Sequence, residues 1–124
     1  MSLLGYHGFN NWENHFMEDE NERDNILFGF ELEAREDDSN YVENQLSPEQ
    51  VACKLEEEFG NLFVYERDSS IGRGVEIISQ PMTMNYYMAH IDLFKKLLKM
   101  LDKMNYVSTK GNKCGLHIHF NRKA

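Results

Sequence analysis

The sequence predicts an α+β domain, a mixed sheet with helices on one face. Three observations carry this expectation. Three short stretches alternate apolar and polar residues with the period of two that belongs to a strand. Two longer stretches repeat apolar residues at helical spacing. Turn-forming residues separate them in the order β-α-β-β-α-β, a fourth short β-rich run completing the set.

The alternating stretches come first because chemistry gathers on them. In Cys114-Gly115-Leu116-His117-Ile118-His119-Phe120, one face takes Leu116, Ile118 and Phe120 and the other takes His117 and His119. In Ile26 to Ala34, Phe28, Phe30, Leu32 and Ala34 share a face opposite Gly29, Glu31 and Glu33. In Gly74 to Ser79, Glu76 stands alone among apolar neighbours. If these strands join one sheet, its apolar face packs on helices and its other face collects carboxylates and imidazoles.

The helices and turns follow from equally local signals. The first strand covers Leu27 to Arg35, and Asp37-Asp38-Ser39-Asn40 opens a loop after it. Ser47 caps the first helix, Pro48 suits its first turn, and Gln50 stands where a capping-box partner belongs. Val51, Ala52, Leu55 and Phe59 form its stripe, Cys53 is expected as a small buried hydrophobe, and Gly60 stops the helix. Leu62 to Glu66 is β-rich, and Arg67 to Gly74 is the loop leading to the third strand, which Pro81 ends. Thr83 or Asn85 caps the longest helix, which is expected to run unbroken to Met104 on a stripe of Tyr87, Met88, Ile91, Phe94, Leu97, Leu98 and Leu101. Lys95, Lys96, Lys99 and Lys103 belong to its exposed side or its C-terminal end.

Composition limits the partners. A chain of 124 residues with 41% hydrophobic content and a net charge of −8 is one globular domain or part of one. It has no basic stripe for a nucleic-acid backbone. Cys53 and Cys114 are too few for a disulfide framework. No apolar run suits a membrane span and no signal sequence precedes the domain, so a cytoplasmic setting is expected. Residues 1–25 are expected as a polar arm held by Tyr6, Phe9, Trp12 and Phe16, with His7 and His15 as surface residues. The domain then occupies 26–124.

Glu31 and Glu33, two residues apart on a strand, project the same way about 6.5–7 Å apart. With Glu76 beside them, three like charges would push at least one pKa up unless a cation sat among them. Oxygen ligands favour magnesium, and imidazoles widen the choice to manganese or zinc. The simpler account is that these groups only solvate an exposed sheet face. The combination of paired carboxylates, Glu76 and H-x-H favours a site.

Gly29-Phe30-Glu31-Leu32-Glu33, then Glu76-Ile77-Ile78-Ser79-Gln80-Pro81, then Cys114 to Phe120, resemble the amidoligases of phages and bacteria, relatives of glutamine synthetase and γ-glutamylcysteine ligase. The resemblance reaches from Leu27 to Arg122. It implies a ligase that uses ATP to phosphorylate a carboxylate and lets an amine displace the phosphate. On it, Glu31, Glu33 and Glu76 hold magnesium or manganese against the ATP phosphates, and His117 and His119 match a paired-histidine strand, one near metal and one near phosphate. Such chemistry needs charge neutralisation and alignment. Arg67, Arg73 and Arg122 are the candidates to clamp phosphate or a substrate carboxylate.

The wider group is built from two β-α-β-β-α repeats sharing a sheet. This chain is expected to supply one repeat and the first strand of the next, a glutamine-synthetase-like half-fold incomplete at its C-terminus, whose sheet edge invites homo-oligomers. The substrates implied are a small-molecule or peptide carboxylate and an amine, selected by the loop Asp37 to Leu46, by Arg67 to Gly74, or by a continuation. Two rivals stand beside the ligase. One is a non-catalytic metal-binding or assembly module. The other is a zinc hydrolase on Glu76, His117 and His119 with Glu31 as base.

Overall fold

The computed structural model describes residues 26–68, 74–108 and 116–122. Their elements are β1 (Ile26–Glu36), α1 (Pro48–Phe59), a 3-10 turn (Gly60–Leu62), β2 (Phe63–Asp68), β3 (Gly74–Ser79), α2 (Met84–Ala89), α3 (Ile91–Lys103), β4 (Tyr106–Val107) and β5 (Leu116–Arg122). This is an α+β fold on a five-stranded sheet. The N-terminal arm, most of the Arg67–Gly74 loop and Cys114 lie outside the described residues.

Every strand pairing is antiparallel, where a mixed sheet was expected. The crossover through α1 brings β2 back in the direction of β1, as such crossovers do. The β2–β3 hairpin then inserts β3 between them, so the two like-directed strands are not neighbours. On one edge of β1, residues 31–35 pair with β3. On the other edge, residues 26–32 pair with β5 and residues 35–36 with the two-residue β4. A strand as short as β4 leaves no periodicity to read in a sequence.

The helix signals act as their chemistry dictates. The Ser47 Oγ accepts from the Gln50 N–H, while the Gln50 side chain accepts from the Ser47 N–H at 2.8 Å. Gly60 ends α1 at φ 59°, a conformation that glycine adopts without strain. Thr83 caps α2 through its hydroxyl. The long C-terminal helix is not continuous, however, because it breaks at His90 into α2 and α3. At the break the His90 N–H is shared between the Tyr86 and Tyr87 carbonyls, the His90 ring lies 4.2 Å from that of Tyr86, and Tyr87 is set against both Phe28 and Phe94. Packing of those rings therefore accompanies the interruption. Two residues of the expected stripe, Met88 and Leu98, are exposed, and Cys53 is only half-buried.

The stripes of α1 and α3 meet one face of the sheet. Val51, Ala52, Leu55 and Phe59 of α1 share a core with Phe94, Leu97 and Leu101 of α3 and with Leu32, Ala34, Phe63, Tyr65, Val75 and Ile77 of the strands. Aromatic rings fill its centre, with Phe63 and Phe94 edge-on at 6.0 Å. Asn105, at φ 62°, ends the α3 turn and donates to the carbonyls of Asp37 and Asn40 and to the Gln45 side chain. Those bonds, with Tyr106 Oη to the Leu46 carbonyl, pin the 37–46 loop to the end of α3.

One local defect explains part of the sequence pattern. The β1–β3 ladder stops at Glu31–Ile78, and the chain pairs again only at Phe28–Met82. In the gap the Phe30 N–H donates to Ser79 Oγ at 2.9 Å. A β-carbon on Gly29 would stand 3.3 Å from the same oxygen, so glycine keeps the gap closed. Replacing Ser79 with alanine orphans a part-buried N–H, and we expect a loss of about 1–3 kcal/mol in urea unfolding.

Tyr65 is fully buried and its hydroxyl has no hydrogen-bond partner among the described residues. Burial, seconded by the Glu56 carboxylate, raises its pKa above the ordinary 10.0. The unfolded chain therefore ionises Tyr65 first, so its contribution to stability is complete below pH 10 and falls as the pH climbs beyond it. Tyr65→Phe should leave neutral-pH stability equal or higher, and should remove part of the alkaline loss, up to about 1.4 kcal/mol per pH unit. Parallel denaturation of the two chains across that range checks the sign.

Candidate active site

The face opposite the helices is set by parity along the strands. Leu32, Ala34, Val75, Ile77, Phe63 and Tyr65 point to the core, so the residues between them point the other way. On that second face the register aligns Glu33 of β1 with Glu76 of β3, and Glu76 with Glu66 of β2. Three carboxylates thus stand in one row across three adjacent strands. On the other side of β1, Glu31 is level with His117 and Gly29 with His119. The Glu31, Glu33, Glu76, His117 and His119 positions expected from sequence all belong to this face.

His119 reaches diagonally to Glu31, with Nε2 at 2.6 Å from Oε2. To donate to a carboxylate, Nε2 must carry the proton, so Glu31 fixes both the tautomer and the ring orientation. Glu31 supplies the sheltered half of the pair, its side chain 14% exposed against 58% for His119. His117 is exposed.

The face is not a fully solvated surface. Glu66 is 5% exposed, Arg35 8% and Ile78 3%, while Glu33 and Glu76 are half-buried. Carboxylates withdrawn from water need compensation by hydrogen bonds or positive charge. Sequence reasoning passed over Glu66 and Arg35, because each ended its expected strand. The available signal was parity: Val64-Tyr65-Glu66 repeats the alternation of β1, and Arg35 continues the series Glu31, Glu33. The Arg35 guanidinium itself bonds the Glu36 carbonyl at 3.1 Å and lies 3.4 Å from Asp38, near the end of its strand.

Of the expected arginines, Arg67 does not face this site. Arg67 alternates onto the helix-bearing face, with Phe63 and Tyr65, and pairs with Glu49 in the first turn of α1. Its strand extends two residues past the expected end, and this reverses the role first assigned to it as a loop arginine. Arg122 closes β5 in register with Ile26. Arg73 lies outside the described residues.

Carboxylates in a row, with imidazoles beside them, are a donor set suited to a hard divalent cation. Among the described residues no three His, Cys, Asp or Glu side chains converge closely enough to hold a metal ion. The fit is therefore one of donor chemistry and shared face, and a cation would have to draw the side chains together. The trio Glu76, His117 and His119 is spread further still. β1 separates β3 from β5, so their backbones stand roughly 10 Å apart, a poor frame for tetrahedral zinc.

No family model, no curated protein and no solved structure matches this chain. The resemblance to the amidoligases expected from the three motifs has no support from these comparisons.

Glu33 and Glu76 are directly opposed like charges, a destabilising arrangement in a sheet. We expect Glu76→Gln to leave stability unchanged or raise it by up to about 1 kcal/mol in chelator-treated protein. Urea unfolding at neutral pH measures this, and a clear loss would assign the carboxylate to the fold instead.

Proposed function

We propose that this domain joins a carboxylate to an amine at the expense of ATP, using the carboxylate-bearing face of the sheet. The observation that supports the reading is the meeting of Glu31, Glu33, Glu76, His117 and His119 on that face, in the order their motifs led us to expect. Glu33 and Glu76, with Glu66 beside them, would hold magnesium or manganese, and Glu31 and His117 lie one strand pair away. Bound there, the ion would neutralise and align the ATP phosphates.

The chain's own residues then have defined tasks. A substrate carboxylate oxygen attacks the γ-phosphorus of ATP, ADP leaves, and an acyl phosphate forms. The amine nitrogen attacks the acyl carbon, the carbon–oxygen bond to phosphate breaks, and the nitrogen loses a proton. Held by Glu31 through Nε2, the neutral His119 ring presents Nδ1 as an acceptor for that proton. His117, level with Glu31 on β5, is the second imidazole available to the phosphate. The half-buried setting of the row strengthens each electrostatic contact relative to open water.

Hydroxylamine traps acyl phosphates as hydroxamates, which gives a direct test. The chain is incubated with magnesium, ATP, hydroxylamine and a panel of amino acids and dicarboxylates. We expect hydroxamate and inorganic phosphate to appear together for at least one member of the panel. Glu33→Ala or His117→Ala should lower the rate by about 100-fold or more while the melting temperature stays nearly constant. Manganese binding without phosphate release would favour a non-catalytic metal-binding module. Tight zinc binding indifferent to ATP would favour a hydrolase.

A further inference from the structure

On the helix-bearing face a groove of about 280 Å³ lies between β5 and the helices α2 and α3. Leu116, Ile118 and Phe120 form one wall, Met84 and Leu98 form the other, and Met88 stands one turn from Met84 on α2. These six side chains are 51% to 69% exposed, and among the described residues Tyr41 is the one other large hydrophobic left exposed. Apolar surface gathered in this way marks a contact. The cause is topological. α2 and α3 lie over β1, where Tyr87 meets Phe28 and Phe94 meets Phe30, and β5 carries the sheet one strand past them.

β5 is also an open edge. Among the described strands it pairs with β1 alone, and every residue from Leu116 to Phe120 is exposed, on both faces. Leu116 to Asn121 include no proline, lysine or carboxylate, the residues that keep an edge from pairing. The opposite edge strand, β2, differs, since Phe63 to Glu66 are all buried or half-buried. Neither β5 nor α2 carries an acidic residue, so in a chain of net charge −8 two copies approach on this side with least repulsion.

We propose that the groove and the β5 edge together seat a second copy of this chain, the two β5 strands pairing antiparallel about a two-fold axis normal to the sheet. Such an axis keeps like faces together. Apolar residues of β5 then meet apolar ones, histidines meet histidines, and the contact closes on itself instead of growing. The two β1 strands stand three strand spacings apart, roughly 14 Å. Helices pack at roughly 8–10 Å, so the α2–α3 pairs of the two copies face each other over a floor made by both β5 strands. Met84, Met88 and Leu98 of each copy fill the space left between them. Each exposed side chain offers on the order of 100 Å², so one copy brings roughly 600 Å² of apolar surface besides the pairing backbone, against roughly 800 Å² per partner in a stable complex. On the other face the same pairing sets His117 and His119 of both copies on adjacent strands, so the imidazoles of the two candidate sites become neighbours.

Sedimentation of the full chain over a dilution series, with amide hydrogen exchange at both ends of the series, tests this. We expect a reversible monomer–dimer equilibrium, and in the dimer the outer-edge amides of β5 should exchange about tenfold more slowly than in the monomer. Ile118→Glu and Leu98→Glu fall at exposed positions in β5 and α3, where substitution leaves the core intact. Each should raise the dissociation constant about tenfold or more, with the far-UV circular dichroism of a folded chain. A chain that stays monomeric at roughly millimolar concentration overturns the proposal and leaves the groove to a different occupant. So does a dimer that neither substitution weakens. A dimer in which β5 exchange is unchanged also overturns it, because the copies would then meet without joining their sheets. Assemblies that lengthen with concentration contradict the closed two-fold pairing.

Discussion

The two-sided pairing of β1 is the constraint on which the rest of the structure depends. Residues 31–35 give one edge to β3, and residues 26–32 and 35–36 give the other to β5 and β4. A one-residue slip on either edge would send every side chain of that neighbour to the wrong face. Because Phe28, Leu32 and Ala34 are committed to the helical core, register is fixed by burial. The same register puts Glu33 opposite Glu76 and Glu31 opposite His117. The candidate site is thus a by-product of the way β1 satisfies its core.

The two edges of β1 are not equivalent. β3 is held by β2 as well, and its core residues Val75 and Ile77 are fully buried under the helices. β5 pairs only with β1 among the described strands, and Leu116, Ile118 and Phe120 remain exposed on its apolar side. The carboxylate row therefore sits on the well-packed part of the sheet, while both histidines ride on its least-covered strand. Such strands open more readily than core strands. The Glu31–His119 hydrogen bond links the two parts and aligns an imidazole from β5 on a carboxylate of the rigid centre.

Much of this was legible in the sequence. Alternation in β1 and β5, with Glu76 alone among the apolar residues of β3, announced both faces, and Ser47, Gln50, Pro48 and Gly60 announced α1 to the residue. What stayed hidden depended on partners that periodicity does not name. The antiparallel order of the sheet follows from the hairpin that inserts β3 between β1 and β2. The break at His90 accompanies the packing of Tyr87 between Phe28 and Phe94, with no proline or glycine to signal it. Arg67 looked like a loop residue because β2 runs further than its apolar content suggests, and its pairing with Glu49 takes it to the other face. Glu66 and Arg35 obey the same parity as the expected residues, but each closed its strand as expected from sequence, where patterns fade. Ser79 and Gly29, which lie in the stretches on which the expected resemblance rests, also close a gap in the ladder, so their presence has a structural cause apart from any chemistry.

The shared face is tested most directly by adding manganese to isotope-labelled protein and recording which nuclear magnetic resonance signals broaden. If the carboxylates and imidazoles form one cation-binding surface, the signals of Glu33, Glu66 and Glu76 should broaden first, followed by the His117 and His119 rings, and Glu33→Gln should abolish the effect. Broadening centred on the exposed acidic loop at Asp37 and Asp38, or spread evenly over the acidic surface, would contradict it.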